Sequence, residues 1–268
     1  MNYRSACPVV SGGLALFALA ACASATSARY ESPATPPLGT QLTLSVADTA
    51  LAGNAPALAL RIAQSIVSKD PGNADAWQRE GDAYIALGQA AQAETSYGRA
   101  LALRPGLIAA QLGLGRVELT RNPAAAEARF TQVLVADPHS LAALNDLGIA
   151  RDLGGRHAEA QAAYRQVLAL VPGDTAAQVN LGLSLALSGD SPAAIALLQP
   201  LAARPDATPR MRHDYAVALA VAGRIPEAEQ LLRVDLTPEQ TARAIEGYRE
   251  LPSRELPSHE LPDAPSPP

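Results

Sequence analysis

The sequence is poor in aromatic residues, which occupy 4% of its 268 positions although 48% of the positions are hydrophobic. A globular core of the usual kind would contain more Phe, Trp and Tyr side chains. Alanine and leucine dominate instead, and these are among the strongest helix formers. This composition predicts an all-α protein whose helices pack closely through small side chains.

Cysteine is nearly absent and basic charge is not in excess. The two cysteines, Cys7 and Cys22, both lie near the start of the chain. The rest of the chain can therefore form neither a disulfide framework nor a cysteine metal site. The formal net charge is −5. Because phosphate binding needs basic patches, nucleic acid is excluded as the main partner.

Motifs for catalysis are missing as well. The chain has no G-x-x-x-x-G-K-[ST] loop for phosphate, and Gly113 with Gly115 lacks the third glycine and preceding strand of a dinucleotide site. The histidines form no H-E-x-x-H pair suited to zinc. They are His139, His157, His213 and His259. We therefore predict that the protein is not an enzyme and uses no cofactor, no metal and no small-molecule substrate.

The sequence does contain a repeat, marked by five prolines at spacings of 34, 33, 34 and 33 residues. They are Pro71, Pro105, Pro138, Pro172 and Pro205. This period is typical of the tetratricopeptide repeat, a unit of two helices. Residues 141–172 show the pattern clearly: Gly148 and Ala160 are small enough for two helix backbones to approach closely, Tyr164 fills the space beside them, and Pro172 ends the second helix.

One such repeat cannot bury its apolar face alone, so the units must stack. We predict a tetratricopeptide-repeat (TPR) superhelical solenoid of about six helix pairs over residues 41–250. Gly182 and Leu198 mark the same pattern in a later unit, whereas the unit around Asn122-Pro123 lacks one residue in its inter-helix turn. Near the end, Thr237-Pro238 supplies an N-cap and a first helical residue, which predicts a C-terminal capping helix.

Residues 1–21 have the pattern of a secretory signal peptide, a basic start followed by an apolar run too short to span a membrane. Leu19-Ala20-Ala21-Cys22 resembles the lipobox of bacterial lipoproteins, which implies that Cys22 is acylated and becomes the new N-terminus. The alternative is a plain signal peptide cut near Ala21 or Ala25, with Cys22 unmodified. By resemblance to bacterial sorting rules, Ala23 favours the outer membrane over the inner one.

Two segments are predicted to lie outside the solenoid. Residues 22–40 are rich in Ser, Thr, Ala and Pro and are predicted to be a disordered tether. Around residues 251–268, Glu-Leu-Pro occurs three times at a period of five. Because proline interrupts helices, this Pro-rich tail is predicted to be disordered or locally polyproline II. The alternative is that the tail is a peptide that docks on a partner.

Because the sequence contains no catalytic or metal-binding motif, we predict that the protein functions by binding other proteins. In an array of this type, the first helices of successive repeats line a concave groove. The register places eight candidate residues there, mostly apolar with a few hydrogen-bonding groups. They are Leu112, Arg116, Asn145, Ile149, Val179, Leu183, His213 and Val217. This set suits an amphipathic helix or an extended peptide. The alternative is that some of these side chains pack within the solenoid.

Asn180, beside them, is expected to form a helix-to-helix hydrogen bond.

The sequence at the end of the array contains features that the general repeat pattern does not explain. Residues 211–251, MRHDYAVALAVAGRIPEAEQLLRVDLTPEQTARAIEGYREL, resemble the end of TadD-type lipoproteins of the tight-adherence (Tad/Flp) pilus system. The matching parts are Tyr215–Ala220, Ala222-Gly223, Glu227-Ala228-Glu229, and Asp235-Leu236 followed by Pro238. The tail after residue 250 departs from that pattern. The resemblance implies a non-enzymatic role, similar to that of pilotin lipoproteins, in assembling or localising the outer-membrane secretin and its accessory proteins.

The resemblance also implies a location and partners. The protein is expected on the periplasmic face of the outer membrane, held by its lipid anchor. The expected partners are proteins, namely the secretin or other components of pilus assembly. A general envelope scaffold, serving outer-membrane protein insertion or cell-wall enzymes, stays open as the alternative.

Overall fold

The computed structural model describes residues 38–249 and residue 251. These residues form thirteen α-helices and no β-strand. In chain order the helices are α1 Leu38–Ala52, α2 Pro56–Lys69, α3 Ala74–Ala86, α4 Ala90–Leu103, α5 Ile108–Glu118, α6 Pro123–Ala136, α7 Leu141–Leu153, α8 His157–Leu170, α9 Thr175–Leu187, α10 Ser191–Ala202, α11 Pro209–Val221, α12 Ile225–Leu232 and α13 Pro238–Arg249. None of these helices combines the length and the apolar character that a membrane span requires. The predicted signal peptide, Cys22 and residues 252–268 lie outside the described residues.

The helices pack in the predicted order. Each odd-numbered helix from α1 to α11 packs on the even-numbered helix that follows it, which gives six pairs, and α13 packs on α11 and α12. The prediction of six helix pairs and a capping helix is confirmed. The first helix begins at Leu38, so the last three residues of the segment 22–40, predicted to be a tether, belong to α1. Packing explains this, since Leu44 of α1 is buried in a cluster with Ile66 and Ala76.

Side-chain caps start the first helix of four repeats. Asn73, Ser140, Asp174 and Thr208 each accept a hydrogen bond from the backbone N–H three residues further on. The shortest of these bonds is 2.8 Å, from the N–H of Ala177 to Asp174. Each cap pairs one of the backbone donors that a helix leaves free at its start. The starts of these helices are therefore encoded locally.

The turn within a helix pair is closed by a glycine in the left-handed conformation. Gly88, Gly155, Gly189 and Gly223 have φ angles of 74°, 72°, 89° and 77°, a region that residues with a Cβ rarely adopt. They occupy the same place in four repeats. The prediction that the unit around Asn122-Pro123 lacks a residue in its inter-helix turn is wrong. The turn between α5 and α6 has four residues, one more than the turn of each other pair, and α5 itself is two residues shorter than α3 or α7. This turn contains no glycine.

Within four pairs, a glycine of the first helix faces a large side chain of the second. A Cβ added to Gly148 would lie 2.3 Å from the ring of Tyr164. The corresponding distances are 2.5 Å for Gly81 to Tyr97, 2.5 Å for Gly115 to Phe130 and 2.5 Å for Gly182 to Leu198. The four large side chains are 0–2% exposed. The predicted role of Gly148 and Tyr164 is confirmed, and the repeat period explains why it recurs.

Candidate partner-binding groove

The first helices of successive repeats lie side by side. Along the series α1, α3, α5, α7, α9 and α11, each helix contacts the next one. We use "the groove" for the surface that α3, α5, α7, α9 and α11 share. The eight predicted residues lie on the last four of these helices.

Six of the eight predicted residues keep accessible surface. Leu112, Asn145, Ile149, Leu183 and His213 are half-buried, and Arg116 is exposed. The other two, Val179 and Val217, are only 4% and 7% exposed and belong to the core cluster at this end of the array. The alternative, packing within the solenoid, therefore holds for these two valines. Neighbouring helices cover them, since Met211 of α11 and Tyr248 of α13 pack on the same cluster.

A cavity of about 380 Å³, here called the first cavity, opens between α3, α5 and α7. Ile85 and Leu112 supply apolar walls, and Asp82, Tyr97 and Arg116 supply polar groups. Ile85 is 43% exposed, which leaves its side chain available for contact. Apolar walls with a few placed polar groups are the common composition of a binding site.

Asp82 is the acidic group of the first cavity. The Tyr97 hydroxyl donates a hydrogen bond of 2.7 Å to Asp82, and the side-chain amide of Gln78 donates another. Burial raises the pKa of Asp82, while the hydrogen bond from Tyr97 and the charge of Arg79 oppose the shift. Burial and the Asp82 charge also raise the pKa of Tyr97. The phenol therefore stays protonated at neutral pH and holds the carboxyl group in place.

Arg116 connects the third repeat to the fourth. Its Nε donates a hydrogen bond of 2.7 Å to Oδ2 of Asp146. The Asp146 side chain is 8% exposed, whereas that of Arg116 is 52% exposed. Burial raises the pKa of Asp146, and the Arg116 charge opposes the shift. Among the described residues, this is the only hydrogen bond of the Arg116 side chain, so its remaining N–H donors are available to a ligand in the groove.

Asn180 links three first helices. Its side-chain nitrogen donates a hydrogen bond of 2.9 Å to Asn145 of α7, and its oxygen accepts one of 2.7 Å from Arg210 of α11. The predicted helix-to-helix hydrogen bond of Asn180 is confirmed. These bonds fix the relative positions of α7, α9 and α11 along the groove.

A larger cavity of about 550 Å³, here called the second cavity, lies between α9, α11 and α13. Its lining is mainly apolar and includes Leu183, Leu187, Val217, Tyr248 and Leu251. The sequence did not predict this cavity, because α13 was interpreted only as a cap on the end of the array. The contacts of α13 with α11 extend the apolar surface of the groove by one helix.

Asp214 is the buried acid of the second cavity. It is 9% exposed, and its Oδ2 lies 3.5 Å from Nε of Arg210. This oxygen makes no hydrogen bond to any of the residues that the structure describes. Burial raises the pKa of Asp214, and the charge of Arg210 opposes the shift. The ionised form of this carboxyl group is therefore disfavoured in the folded protein.

The substitution Asp214→Asn is expected to raise the free energy of unfolding at pH 7 by about 1 kcal/mol, because the neutral amide removes a charge that burial disfavours. The native state holds a proton on Asp214 more firmly than the unfolded chain, in which an aspartate has a pKa of about 3.9. The stability contributed by this group is therefore highest below that pH and falls as the pH rises through the native pKa. The gain from the substitution should be present at pH 7 and vanish near pH 4.

Urea unfolding of both proteins at the two pH values measures this difference. Asp206→Asn, in an exposed ion pair with Arg204, is the matched control and should change little at either pH. A gain of equal size at pH 4 and pH 7, or a loss at pH 7, would contradict the raised pKa of Asp214.

A buried polar cluster joins the fourth and fifth repeats. Asp152 accepts hydrogen bonds of 2.7 Å from Ser184 and 2.9 Å from the Tyr164 hydroxyl, and Nδ1 of His157 lies 2.8 Å from it. The serine hydroxyl donates to the carboxylate and has no hydrogen bond with the imidazole, so these side chains do not have the serine–histidine contact of a catalytic triad. Ser184 is also completely buried. The cluster is structural, and sequence reasoning missed it.

A metal centre of protein ligands is not present in the described part of the chain. Within residues 38–249 and 251, no three His, Cys, Asp or Glu side chains are grouped so that they could hold a metal ion. The chemistry of the groove is thus that of apolar contact, hydrogen bonding and paired charge.

Two family models, both described as the tetratricopeptide repeat, match the sequence. One matches residues 50–106, and the other matches residues 120–175, 154–208 and 179–241. The chain belongs to the tetratricopeptide-repeat family. Neither model indicates a catalytic family, and TPR proteins are typically scaffolds that bind other proteins. No curated protein sequence matches the chain.

Solved structures of other TPR proteins share the fold. PilW, a widely conserved type IV pilus biogenesis factor, has a TM-score of 0.67 and 22% identity, over 78% of this chain and 100% of PilW. A TPR protein from Parabacteroides merdae has a TM-score of 0.63 and 17% identity, over 81% and 87% of the two chains. The APC/C hetero-tetramer Cut9–Hcn1 contains a chain with a TM-score of 0.66 and 19% identity, over 79% of this TPR protein and 43% of that chain. At these identities the likeness shows the fold alone.

Proposed function

We propose that this TPR protein is a non-enzymatic outer-membrane lipoprotein that assists assembly of the tight-adherence (Tad/Flp) pilus secretion system by binding partner proteins in the groove. The accessible surface of the groove is the observation that supports partner binding. Leu112, Ile149 and Leu183 keep accessible apolar area there. Beside them, Arg116 has N–H donors to offer a ligand.

The spacing of these apolar residues limits the shape of the partner. They lie on α5, α7 and α9, three successive first helices. Packed helices are about 8–10 Å apart, so the three side chains extend over about 20 Å. That length corresponds to an amphipathic helix of about four turns or an extended segment of about six residues. Arg116 would bind a carboxylate or a main-chain carbonyl of that segment.

The proposed anchor is Cys22, which lies outside the described residues. The support is the lipobox resemblance, because more than one acyl chain on a cysteine gives stable membrane attachment. Residues 23–37 separate Cys22 from the start of α1 at Leu38. If flexible, such a segment extends over roughly 20 Å on average. The groove would then work close to the periplasmic face of the outer membrane.

The proposed system is the Tad pilus, and the support is the resemblance of residues 211–251 to the end of TadD-type lipoproteins. That segment forms α11, α12 and α13, so it also builds one side of the second cavity. The secretin or one of its accessory proteins is the proposed partner. The fold likeness to PilW agrees with this proposal but adds no specificity to it.

The double substitution Ile149→Asp and Leu183→Asp is expected to reduce capture of the partner from solubilised membranes at least tenfold. A tenfold loss corresponds to about 1.4 kcal/mol, which is less than the loss of two apolar contacts in the groove. The matched control is Val135→Asp with Leu170→Asp, which adds the same charges at exposed positions on α6 and α8. Equal capture by both variants would mean that the groove is not the binding surface.

The whole proposal is tested in cells that lack the protein. Surface pili and secretin multimers should be lost on deletion and restored by the wild-type gene but not by Cys22→Ser. Mass spectrometry of the N-terminal peptide checks the acylation directly. Normal piliation in the deletion strain would end the pilus assignment. A defect in outer-membrane protein insertion or in cell-wall enzymes instead would favour a general envelope scaffold.

A further inference from the structure

The Pro-rich tail begins inside the groove. Leu251, the leucine of the first Glu-Leu-Pro unit, is half-buried and lines the second cavity. It packs against the core cluster that contains Val217, together with Leu183 and Tyr248. The first of the three repeated leucines is therefore already seated on the face that we propose for partner binding.

The groove continues from this point with the same chemistry. Beyond the second cavity, Leu183, Ile149 and Leu112 offer half-buried apolar surface on α9, α7 and α5. Cationic groups lie along the same path. The side chains of Arg210 and Arg116 are 64% and 52% exposed, although each also contacts a buried aspartate, Asp214 or Asp146. Arg243, which lines the second cavity, is exposed and has no ion pair among the described residues.

The sequence of residues 252–268 matches that path. Leu256 and Leu261 follow Leu251 at intervals of five, and Glu255 and Glu260 precede them. With Arg254 and Asp263, the segment carries a net negative charge when His259 is neutral. In polyproline II geometry ten residues extend over about 31 Å. Three steps between neighbouring helices at 8–10 Å cover about the same distance, which reaches from α11 to α5.

We propose that residues 252–268 fold back along the groove and occupy it in the absence of a partner. Leu256 lies against Ile149, Leu261 lies near Leu112, and the two glutamates face the guanidinium groups of Arg210 and Arg116. The tail is connected to the groove through Leu251, so its effective concentration there is in the millimolar range. A segment that binds only weakly as a free peptide therefore fills the groove when it is part of the chain.

The consequence for partner binding rests on the proposed function, whereas the docking of the tail does not. A partner must displace the tail. The partner's apparent affinity is therefore its affinity for the empty groove multiplied by the fraction of chains whose groove is empty. The tail thereby selects for partner segments that match the groove better than two Glu-Leu-Pro units do.

Photo-cross-linking of the full chain in membranes tests the docking. With p-benzoylphenylalanine at position 256, irradiation should give cross-links within one chain to peptides from α7 and α9, identified by mass spectrometry. Glu255→Lys with Glu260→Lys should lower their yield at least threefold, and Glu255→Asp with Glu260→Asp should not. Mixing isotope-labelled and unlabelled chains separates links within a chain from links between copies. No cross-link to α7 or α9, or links only between chains or to other proteins, would overturn the proposal.

A second measurement separates this inference from the proposed function. With the probe kept at position 256, Leu261→Ser should lower the yield of these cross-links, and in the chain without the probe Leu256→Ser with Leu261→Ser should raise partner capture severalfold. Ser253→Ala with Ser258→Ala is the matched control and should change neither. If the tail cross-links to the groove but Ile149→Asp with Leu183→Asp leaves capture unchanged, the tail docks and the proposed function fails. If capture depends on the groove but the tail gives no link to it, the function stands and this inference fails.

Discussion

Replacing Asp152 by alanine is expected to lower the free energy of unfolding by about 3 kcal/mol or more. The carboxylate accepts hydrogen bonds from two buried hydroxyl groups, those of Ser184 and Tyr164. Ser184 is 0% exposed and Tyr164 is 1% exposed, so both residues stay inside the array when their acceptor is removed. Each buried polar group left without a partner costs about 1–3 kcal/mol. His157 also loses its contact with the carboxylate.

The cost should exceed that of an ordinary repeat contact because the cluster crosses between repeats. Asp152 lies on α7 and Ser184 on α9, and the stability of a repeat array depends on such contacts between neighbours. Loss of the cluster should therefore separate the unfolding of the first four repeats from that of the last two. A broader denaturant transition, or one in two steps, would report this separation.

Urea unfolding of the wild type and Asp152→Ala measures the effect. Asp206→Ala, which removes only an exposed ion pair, is the control and should cost less than about 1 kcal/mol. The triple variant Asp152→Ala, Ser184→Ala and Tyr164→Phe removes both orphaned hydroxyls and should recover part of the loss. A loss below about 1 kcal/mol for Asp152→Ala would show that the hydroxyl groups of Ser184 and Tyr164 do not depend on Asp152 as their hydrogen-bond acceptor.

The parts of the fold that the sequence predicted are those that the repeat imposes. The five prolines marked five of the six helix pairs, and the pairing of Gly148 with Tyr164 followed from a close helix contact that four of the pairs share. The spacing also showed that the third unit is one residue short, but the place of the missing residue was predicted wrongly, because α5 and not the turn is shortened. These features depend on spacing along the chain, which a single sequence contains.

The features that the sequence did not predict depend on contacts that vary from repeat to repeat. Asp152, His157 and Ser184 do not recur at matching places in the other units, so no period marks them. The burial of Val179 and Val217 has a similar origin. Their register positions face the groove, but packing at the end of the array, where α13 also contacts the core cluster, decides how much of each is accessible. The accessibility of such residues depends on which side chains pack together in the folded protein, and the repeat pattern of the sequence does not contain that information.

Replacing Gly148 by valine is expected to cost about 3 kcal/mol, because the new side chain enters space that is already filled. A Cβ at this position lies 2.3 Å from the Tyr164 ring, well inside the contact distance of two carbon atoms. The ring cannot simply move away. It is 1% exposed, and its hydroxyl is held at 2.9 Å from Asp152. Any shift that relieves the clash must therefore break the buried cluster as well.

Gly98→Ala is the matched control, since Gly98 also lies within a helix but a Cβ there meets nothing within 4 Å. That substitution should stabilise the protein by about 0.5–1 kcal/mol, because glycine is the poorer helix former. Opposite signs for the two substitutions, measured by urea unfolding, would show that packing against Tyr164 and not helix propensity decides the residue at position 148. If Gly148→Val were tolerated, α7 and α8 could not approach as closely as the described array requires. The groove geometry derived from their neighbours would then be wrong too.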